Sequence, residues 1–154
     1  KNYQKSMDNK IILSFSDLQE IDIDTAQALT QIKGYDLSLG LKALSPEIAK
    51  ALAGNLGNLS LNKLQKLTPE SAKALSESQN KQDDEFLTNL ELNGLNELSL
   101  EVARILINRK RSISLLGLYE ISDEVVQILA NPPEDTYIIM NEYLNEKIKL
   151  YRKK

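Results

Sequence analysis

The chain has 154 residues, a formal net charge of −3, no cysteine and no histidine. The length suits one domain, and the mild negative charge argues against a nucleic-acid partner. Without cysteine there is no disulfide or thiol chemistry, and without histidine the commonest general base and metal ligand is missing. No apolar stretch is long enough to cross a bilayer, so no membrane insertion is expected. A single domain over residues 1–154, without a metal or cofactor, is the resulting prediction.

Residues 1–10 are mostly polar and are predicted to form an N-terminal lead-in or cap. The chain begins at Lys1 rather than at methionine. That start fits either a removed signal peptide or a trimmed sequence, and an extracytoplasmic or cell-surface location is favoured.

Five repeats follow over residues 11–130. Each repeat opens with alternating apolar and polar residues, which is typical of a strand with one buried face. Each repeat closes with a leucine, and successive closing leucines are 23, 23, 31 and 23 residues apart. These leucines are Leu29, Leu52, Leu75, Leu106 and Leu129. Such a period predicts stacked units, because one unit cannot bury its apolar face alone.

The middle of each repeat carries a helix-start signal. A side chain that can accept a hydrogen bond from a backbone N–H stands at the predicted N-cap, and an acid follows two residues later, near the positive end of the helix dipole. The predicted N-caps are Asp22, Ser45, Thr68, Ser99 and Ser122. Small residues then let each helix approach the strand layer, and these are Ala26, Ala49, Ala72, Ala103 and Val126. Strands one repeat apart are expected to pair in parallel, with helices on the outer side.

An insertion near residues 76–86 lengthens the interval before the fourth strand. It is polar and acidic, which predicts a lengthened helix or a surface loop. The alternative is an irregular edge that touches a partner, since insertions in repeat proteins often map to a binding face.

Residues 131–154 are predicted to form a C-terminal cap. Two prolines break the last repeat helix, and a strand and an amphipathic helix follow. Ile138 lies 23 residues after Leu115, and Leu144 lies 23 residues after Ile121. That spacing favours a degenerate sixth repeat.

The repeat resembles that of bacterial leucine-rich repeat proteins with short units of the type L-x-L-x-x-L-x-x-L-[ST]-x-E-x-A-x-x-L, over about residues 11–130. The resemblance implies an α/β fold, namely a right-handed solenoid with a parallel sheet on its concave face and short helices on its convex face. It also implies binding of a protein or another macromolecule. One departure is that the usual inward asparagine after the strand is replaced by Leu18, Leu41, Leu64, Leu95 and Leu118. The turn backbone must therefore be satisfied in another way, and Gly40 is predicted to absorb a tighter bend in the shortened second repeat.

The residues between the inward apolar positions are expected to line the concave face. The central positions are Ser14, Ser38, Ser60, Glu91 and Ser114; one flank holds Asp36, Asn58, Asn89 and Ser112, and the other holds Ser16, Asn62, Asn93 and Leu116. One hypothesis is a groove of hydroxyl and amide groups that binds an extended protein partner or a glycan. The alternative is a solvated sheet face. The lack of aromatic residues there lowers the expected affinity.

No catalytic constellation is apparent. The chain lacks a G-x-S-x-G elbow, a P-loop and a G-x-G-x-x-G motif, and the acids near Asp22 are interpreted as helix caps rather than calcium ligands. Basic stretches at residues 109–111 and 152–154 indicate either an edge for an acidic partner or a solvated loop and tail. We therefore predict a non-enzymatic, bacterial protein-binding module that presents its concave strand face to a partner. The alternative is a structural or adhesive spacer of a bacterial surface protein, and an enzyme is the third hypothesis.

Overall fold

A computed structural model of the chain describes residues 11–31, 35–54, 57–77, 89–109 and 112–152. In these ranges, strands alternate with helices. The strands are β1 (Ile11–Phe15), β2 (Tyr35–Leu39), β3 (Leu59–Ser60), β4 (Leu90–Glu91), β5 (Ser112–Leu115) and β6 (Tyr137–Met140). The helices are α1 (Ile23–Gln31), α2 (Pro46–Leu52), α3 (Pro69–Glu77), α4 (Leu100–Ile107), α5 (Asp123–Ala130) and α6 (Glu142–Lys149). The predicted lead-in lies outside the described residues, as does the insertion beyond the end of α3.

The strands form one six-stranded parallel sheet in the order in which they occur along the chain. The register places equivalent inward residues of all six strands in one row: Leu13, Leu37, Leu59, Leu90, Ile113 and Ile138. Consecutive helices contact one another in the same order, from α1 to α6. The α/β class and the parallel pairing of consecutive strands are thereby confirmed, and the arrangement is compatible with a repeat solenoid.

The core lies between the sheet and the helices and repeats with the sequence. The small residues predicted to let each helix approach the strands are fully buried: Ala26, Ala49, Ala72, Ala103 and Val126. The closing leucines of the second to fifth repeats are also buried, whereas Leu29 of the first is only partly buried. The leucines after the strands, from Leu41 to Leu118, are buried as well, so they fill the space under each turn.

All five predicted N-caps make the expected hydrogen bond. Asp22 Oδ1 accepts a hydrogen bond from the Thr25 N–H at 2.7 Å. Ser45, Thr68, Ser99 and Ser122 each accept one through the side-chain oxygen from the backbone N–H three residues later. The hydrogen bonds from the Thr25 side chain and backbone lower the pKa of the Asp22 carboxyl. These caps fix where each short helix begins.

The first strand departs from the predicted burial. The residues equivalent to Phe15 are buried in all five later units, yet Phe15 is 41% exposed. Ile11 and Ile12 are also exposed. Among the described residues, β1 has a strand neighbour on one side only, which is β2. Phe15 is therefore in register with the core residues of the later units but is less buried than they are.

The sixth unit aligns differently from the predicted 23-residue spacing. Ile138 pairs with Ile113, 25 residues earlier, and Met140 pairs with Leu115. The predicted match of Ile138 to Leu115 is thus wrong by two residues. The two extra residues lie between α5 and β6, since Ile138 follows Leu129 by nine residues whereas Ile113 follows Leu106 by seven. After β6, α6 begins at Glu142, directly after its N-cap Asn141, so the usual turn is missing. In four of the five earlier units the strand-end carbonyl accepts a hydrogen bond from a turn N–H, whereas here the Asn145 side chain donates to the Met140 carbonyl at 3.0 Å.

Candidate functional site

The sheet face opposite the core, which we call the strand face, contains all the residues predicted to bind a partner. They fall in three adjacent rows that run across the strands. The central row is Ser14, Ser38, Ser60, Glu91, Ser114 and Ile139. The strand-start row comprises Ile12, Asp36, Asn58, Asn89, Ser112 and Tyr137, and the strand-end row comprises Ser16, Gly40, Asn62, Asn93, Leu116 and Asn141.

The strand-start row contains a ladder of side chains that bind the backbone. Asp36 Oδ1 accepts from the Asn58 N–H at 2.8 Å, and Asp36 Oδ2 accepts from the Asn58 amide at 3.1 Å. Asn58 Oδ1 then accepts from the Asn89 N–H at 2.7 Å. Each side chain in this series holds the start of the following strand in register. These groups therefore stabilise the sheet from its exposed side.

The strand-end row contains a second ladder. Asn62 Oδ1 accepts from the Asn93 N–H at 3.0 Å. Asn93 Oδ1 in turn accepts from the Leu116 N–H at 3.0 Å and from the Ser114 hydroxyl at 2.7 Å. At the end of the row, the Asn141 amide donates to the carbonyls of Leu116 and Leu118. The turn backbone is thus satisfied by asparagines on the strand face rather than by an inward asparagine.

Glycines let the turns of neighbouring repeats stack closely. A Cβ added to Gly117 would lie 2.0 Å from the Asn93 carbonyl oxygen, and one added to Gly94 would lie 2.3 Å from that of Asn62. A Cβ on Gly40 would lie 1.9 Å from the Ser16 carbonyl oxygen. The predicted role of Gly40 in a tight bend is therefore more specifically a close approach between two backbones.

Glu91 is an acidic side chain in the middle of the strand face. Its Oε2 accepts a hydrogen bond from the Asn62 amide at 3.0 Å, and the same amide donates to the Ser60 hydroxyl at 2.8 Å. Glu91 is half-buried and forms no salt bridge among the described residues. Asp36 is the other carboxylate on the described strand face, so both charges on this face are negative.

The most exposed part of the strand face at its C-terminal end is apolar. Leu116 is 41% exposed, Tyr137 59% and Ile139 45%. Tyr137 and Ile139 lie two residues apart on β6 and point to the same side, and Leu116 follows the neighbouring strand. We call these three residues the β6 patch. Ser112 and Ser114, which pair with Tyr137 and Ile139, are buried.

Leu116 belongs to the face predicted from the sequence, whereas Tyr137 and Ile139 do not. The available signal was that Tyr137–Met140 is apolar at every position. A strand with one solvated face alternates between apolar and polar residues. Loss of that alternation at an edge strand marks an exposed apolar surface.

The predicted basic edge at residues 109–111 is not exposed where the structure describes it. Arg109 is 8% exposed, and its guanidinium donates to the Ser112 carbonyl at 3.1 Å. The positive charge at this position therefore lies inside the fold, which contradicts an exposed edge at Arg109. Lys110 and Arg111 lie outside the described residues.

Two shallow pockets lie away from the strand face. One, of about 300 Å³, lies beside the starts of α4 and α5 and is lined by Glu97, Glu120 and the capping residues Ser99 and Ser122, among others. The other, of about 670 Å³, lies along the exposed side of α6. The serine hydroxyls in the first pocket already accept the helix-capping hydrogen bonds, so their chemistry is structural.

Comparison with family models, curated proteins and solved structures found no match for this chain. Among the helices of the described ranges, none combines the length and the apolar character that a membrane span requires.

Proposed function

We propose that this chain is a non-enzymatic protein-binding module of the leucine-rich-repeat type. In this proposal the repeats form a right-handed solenoid, with the strand face concave and the helices on the convex side. The parallel sheet, the repeated core and the consecutive helix contacts support that arrangement. The observation that carries the function is the β6 patch, because an exposed apolar cluster bordered by polar residues is typical of an interaction site.

The rest of the strand face has little hydrogen-bonding capacity left for a partner. Asp36, Asn58, Asn62 and Asn93 use side-chain oxygens to accept from neighbouring repeats. A partner that bound there would have to replace hydrogen bonds that hold the sheet. The side chains of the β6 patch take no part in the ladders, so a partner that covers them removes apolar surface from water without breaking those hydrogen bonds.

The size of the patch limits how strongly it can bind alone. Covering these three side chains would remove on the order of 300 Å² of surface, which corresponds to about 7 kcal/mol of gross stabilisation. Association itself costs at least about 4 kcal/mol. The patch therefore supplies a site of weak affinity unless the partner makes further contacts, and a partner that covers more of β4 and β5 is expected.

A direct test is capture of a protein partner with matched variants of the chain. Tyr137→Ser removes the largest side chain of the patch. Tyr119→Ser is the control, because Tyr119 is also 59% exposed but lies outside the patch. Wild type and Tyr119→Ser should retain the same protein from native lysate or cell-surface extract across several salt concentrations, and Tyr137→Ser should lose it. Recovery of no specific protein, or equal recovery by both variants, would contradict the proposal.

A spacer is the second candidate, and the two edge strands favour it. β1 carries the exposed Ile11 and Ile12, and β6 carries the exposed Tyr137 and Ile139. Both edges could therefore be covered by further repeats in a longer array. A spacer predicts that two copies joined in tandem unfold at a higher temperature than one copy, because the joined edges bury these residues. It also predicts that no specific protein is captured.

A further inference from the structure

The two sides of the β6 patch differ. On its outer side, β6 is the last strand of the sheet. On its inner side lie Ser112 and Ser114, which are buried. Beyond them lie Asn89, which precedes β4, and Glu91 of β4. A partner that spreads from the patch across the sheet therefore meets the carboxylate of Glu91 in the same row as Ile139.

The hydrogen-bonding groups beside the patch are already engaged. The Ser114 hydroxyl donates to Asn93 Oδ1 at 2.7 Å, and the Asn141 amide donates to the Leu116 carbonyl at 3.0 Å. A glycan needs many hydrogen-bond donors and acceptors around an aromatic side chain, and the groups beside Tyr137 that could serve are already hydrogen-bonded within the protein. An apolar side chain needs none, so the surroundings of the patch favour a peptide.

The negative charge of Glu91, at the inner side of the patch, favours a peptide that carries a positive charge. Glu91 accepts one hydrogen bond from Asn62 and has no salt-bridge partner among the described residues. In the three rows of the strand face, the described residues include no lysine or arginine. A cation on a partner would therefore meet the Glu91 carboxylate without competition from a neighbouring basic side chain.

The distance between the two features sets a spacing. β4 and β6 are separated by one strand, so Glu91 and Ile139 lie about 10 Å apart across the sheet. An extended or polyproline-type peptide advances about 3.1–3.4 Å per residue. An apolar residue over Ile139 would thus place a residue about three positions away over Glu91.

We propose that the strand face binds an extended peptide of a partner protein that carries an aliphatic or aromatic residue about three positions from a lysine or arginine. This proposal rests on the proposed binding function. The apolar residue packs on Tyr137 and Ile139, and the basic residue pairs with Glu91. Because the peptide crosses the strands, it leaves the asparagine ladders intact.

A random peptide library displayed on phage tests the proposal with the full chain as bait. Wild type and Tyr119→Ser should enrich peptides with a basic residue at the proposed spacing from an apolar one. Tyr137→Ser and, separately, Ile139→Thr should abolish enrichment. Thermal unfolding followed by circular dichroism verifies that each variant is folded, and two independent patch variants guard against misfolding of either one.

Glu91→Gln separates the charge from the patch. The glutamine oxygen can still accept from Asn62, but the negative charge is gone. A synthetic consensus peptide should bind Glu91→Gln about threefold to fivefold more weakly than wild type by fluorescence anisotropy. A peptide with glutamine in place of its basic residue should bind both proteins equally.

The outcomes distinguish this proposal from the function on which it rests. Enrichment that depends on Tyr137 but shows no preference for a basic residue would overturn the peptide specificity and leave the binding function standing. An unchanged affinity for Glu91→Gln would overturn it in the same way. Absence of any enriched peptide would also overturn it, whereas the binding function would then be decided by the protein-capture experiment.

Discussion

Replacing Gly117 with alanine should destabilise the protein far more than the same change at Gly54. A Cβ on Gly117 would lie 2.0 Å from the Asn93 carbonyl oxygen and 3.1 Å from that of Leu95. Relief of the shorter contact requires a shift of more than about 1 Å, because nonbonded atoms pack at about 3.5 Å. The Asn93 backbone resists that shift, since its N–H donates to Asn62 Oδ1. We expect a loss of about 3 kcal/mol, at the upper end of typical overpacking costs.

Gly54 provides the matched control for this prediction. A Cβ there would lie 3.4 Å from the Ala51 carbonyl oxygen, with the next atoms at 3.8 and 3.9 Å. Gly54→Ala should therefore be neutral or stabilise by up to about 1 kcal/mol, through a less flexible unfolded chain. Urea unfolding followed by circular dichroism measures both variants. A difference of less than about 1 kcal/mol between them would refute the argument that stacked turns exclude a side chain at Gly117.

Three further predictions concern the core, the ladders and acid stability, and urea unfolding measures each of them. Leu64→Ala should lower the free energy of unfolding by about 2–5 kcal/mol, because the side chain is fully buried. Ser60→Ala should lower it by less than about 1 kcal/mol, because the hydroxyl makes only an exposed hydrogen bond. Equal losses for the two variants would mean that the strand alternation is misassigned. Asn93→Ala leaves two donors without their acceptor and should cost about 1–3 kcal/mol, so a neutral result would remove the ladder as a source of stability. Hydrogen bonding to Lys147 lowers the pKa of Asp123; its contribution is present above the ordinary carboxyl pKa and is lost as the pH falls through the lowered value. Lys147→Met should therefore flatten the decline of stability in acid, and an unchanged pH profile would contradict this assignment.

The sequence was sufficient for the features that depend on local chemistry. The N-cap at Ser99 and the small residue at Ala103 follow from rules that involve only a few neighbouring positions, and both are confirmed. The parallel order of the strands also followed, because the recurrence of the same unit along the chain predicts that each unit stacks on the next one. The handedness and curvature of the proposed solenoid remain predictions.

The features that the sequence did not reveal depend on contacts between repeats. The amides of Asn62 and Asn93 appear in the sequence as ordinary polar surface residues, and only the register shows that each accepts from the backbone of the next unit. The exposure of Phe15 depends on which strand lacks a neighbour, and periodicity carries no information about that. The pairing of β6 differs from the prediction because the connection from α5 to β6 is two residues longer than the one from α4 to β5, and the repeat pattern assumes equal lengths.

The asparagine ladders give the array a direction, much as monomers with unlike ends give direction to a polymer. The Asn62 side chain accepts a hydrogen bond from a backbone N–H of the unit that follows it, and the Asn93 side chain does the same one unit later. A copy of the third or fourth unit could therefore be added or removed without changing the type of side-chain hydrogen bond at either junction. The C-terminal end needs a different residue chemistry, and Asn141 supplies it: its amide donates to the preceding unit while its oxygen caps its own helix. Gain or loss of complete units is thus expected at the third and fourth units, with the different bonding of Asn141 left unchanged.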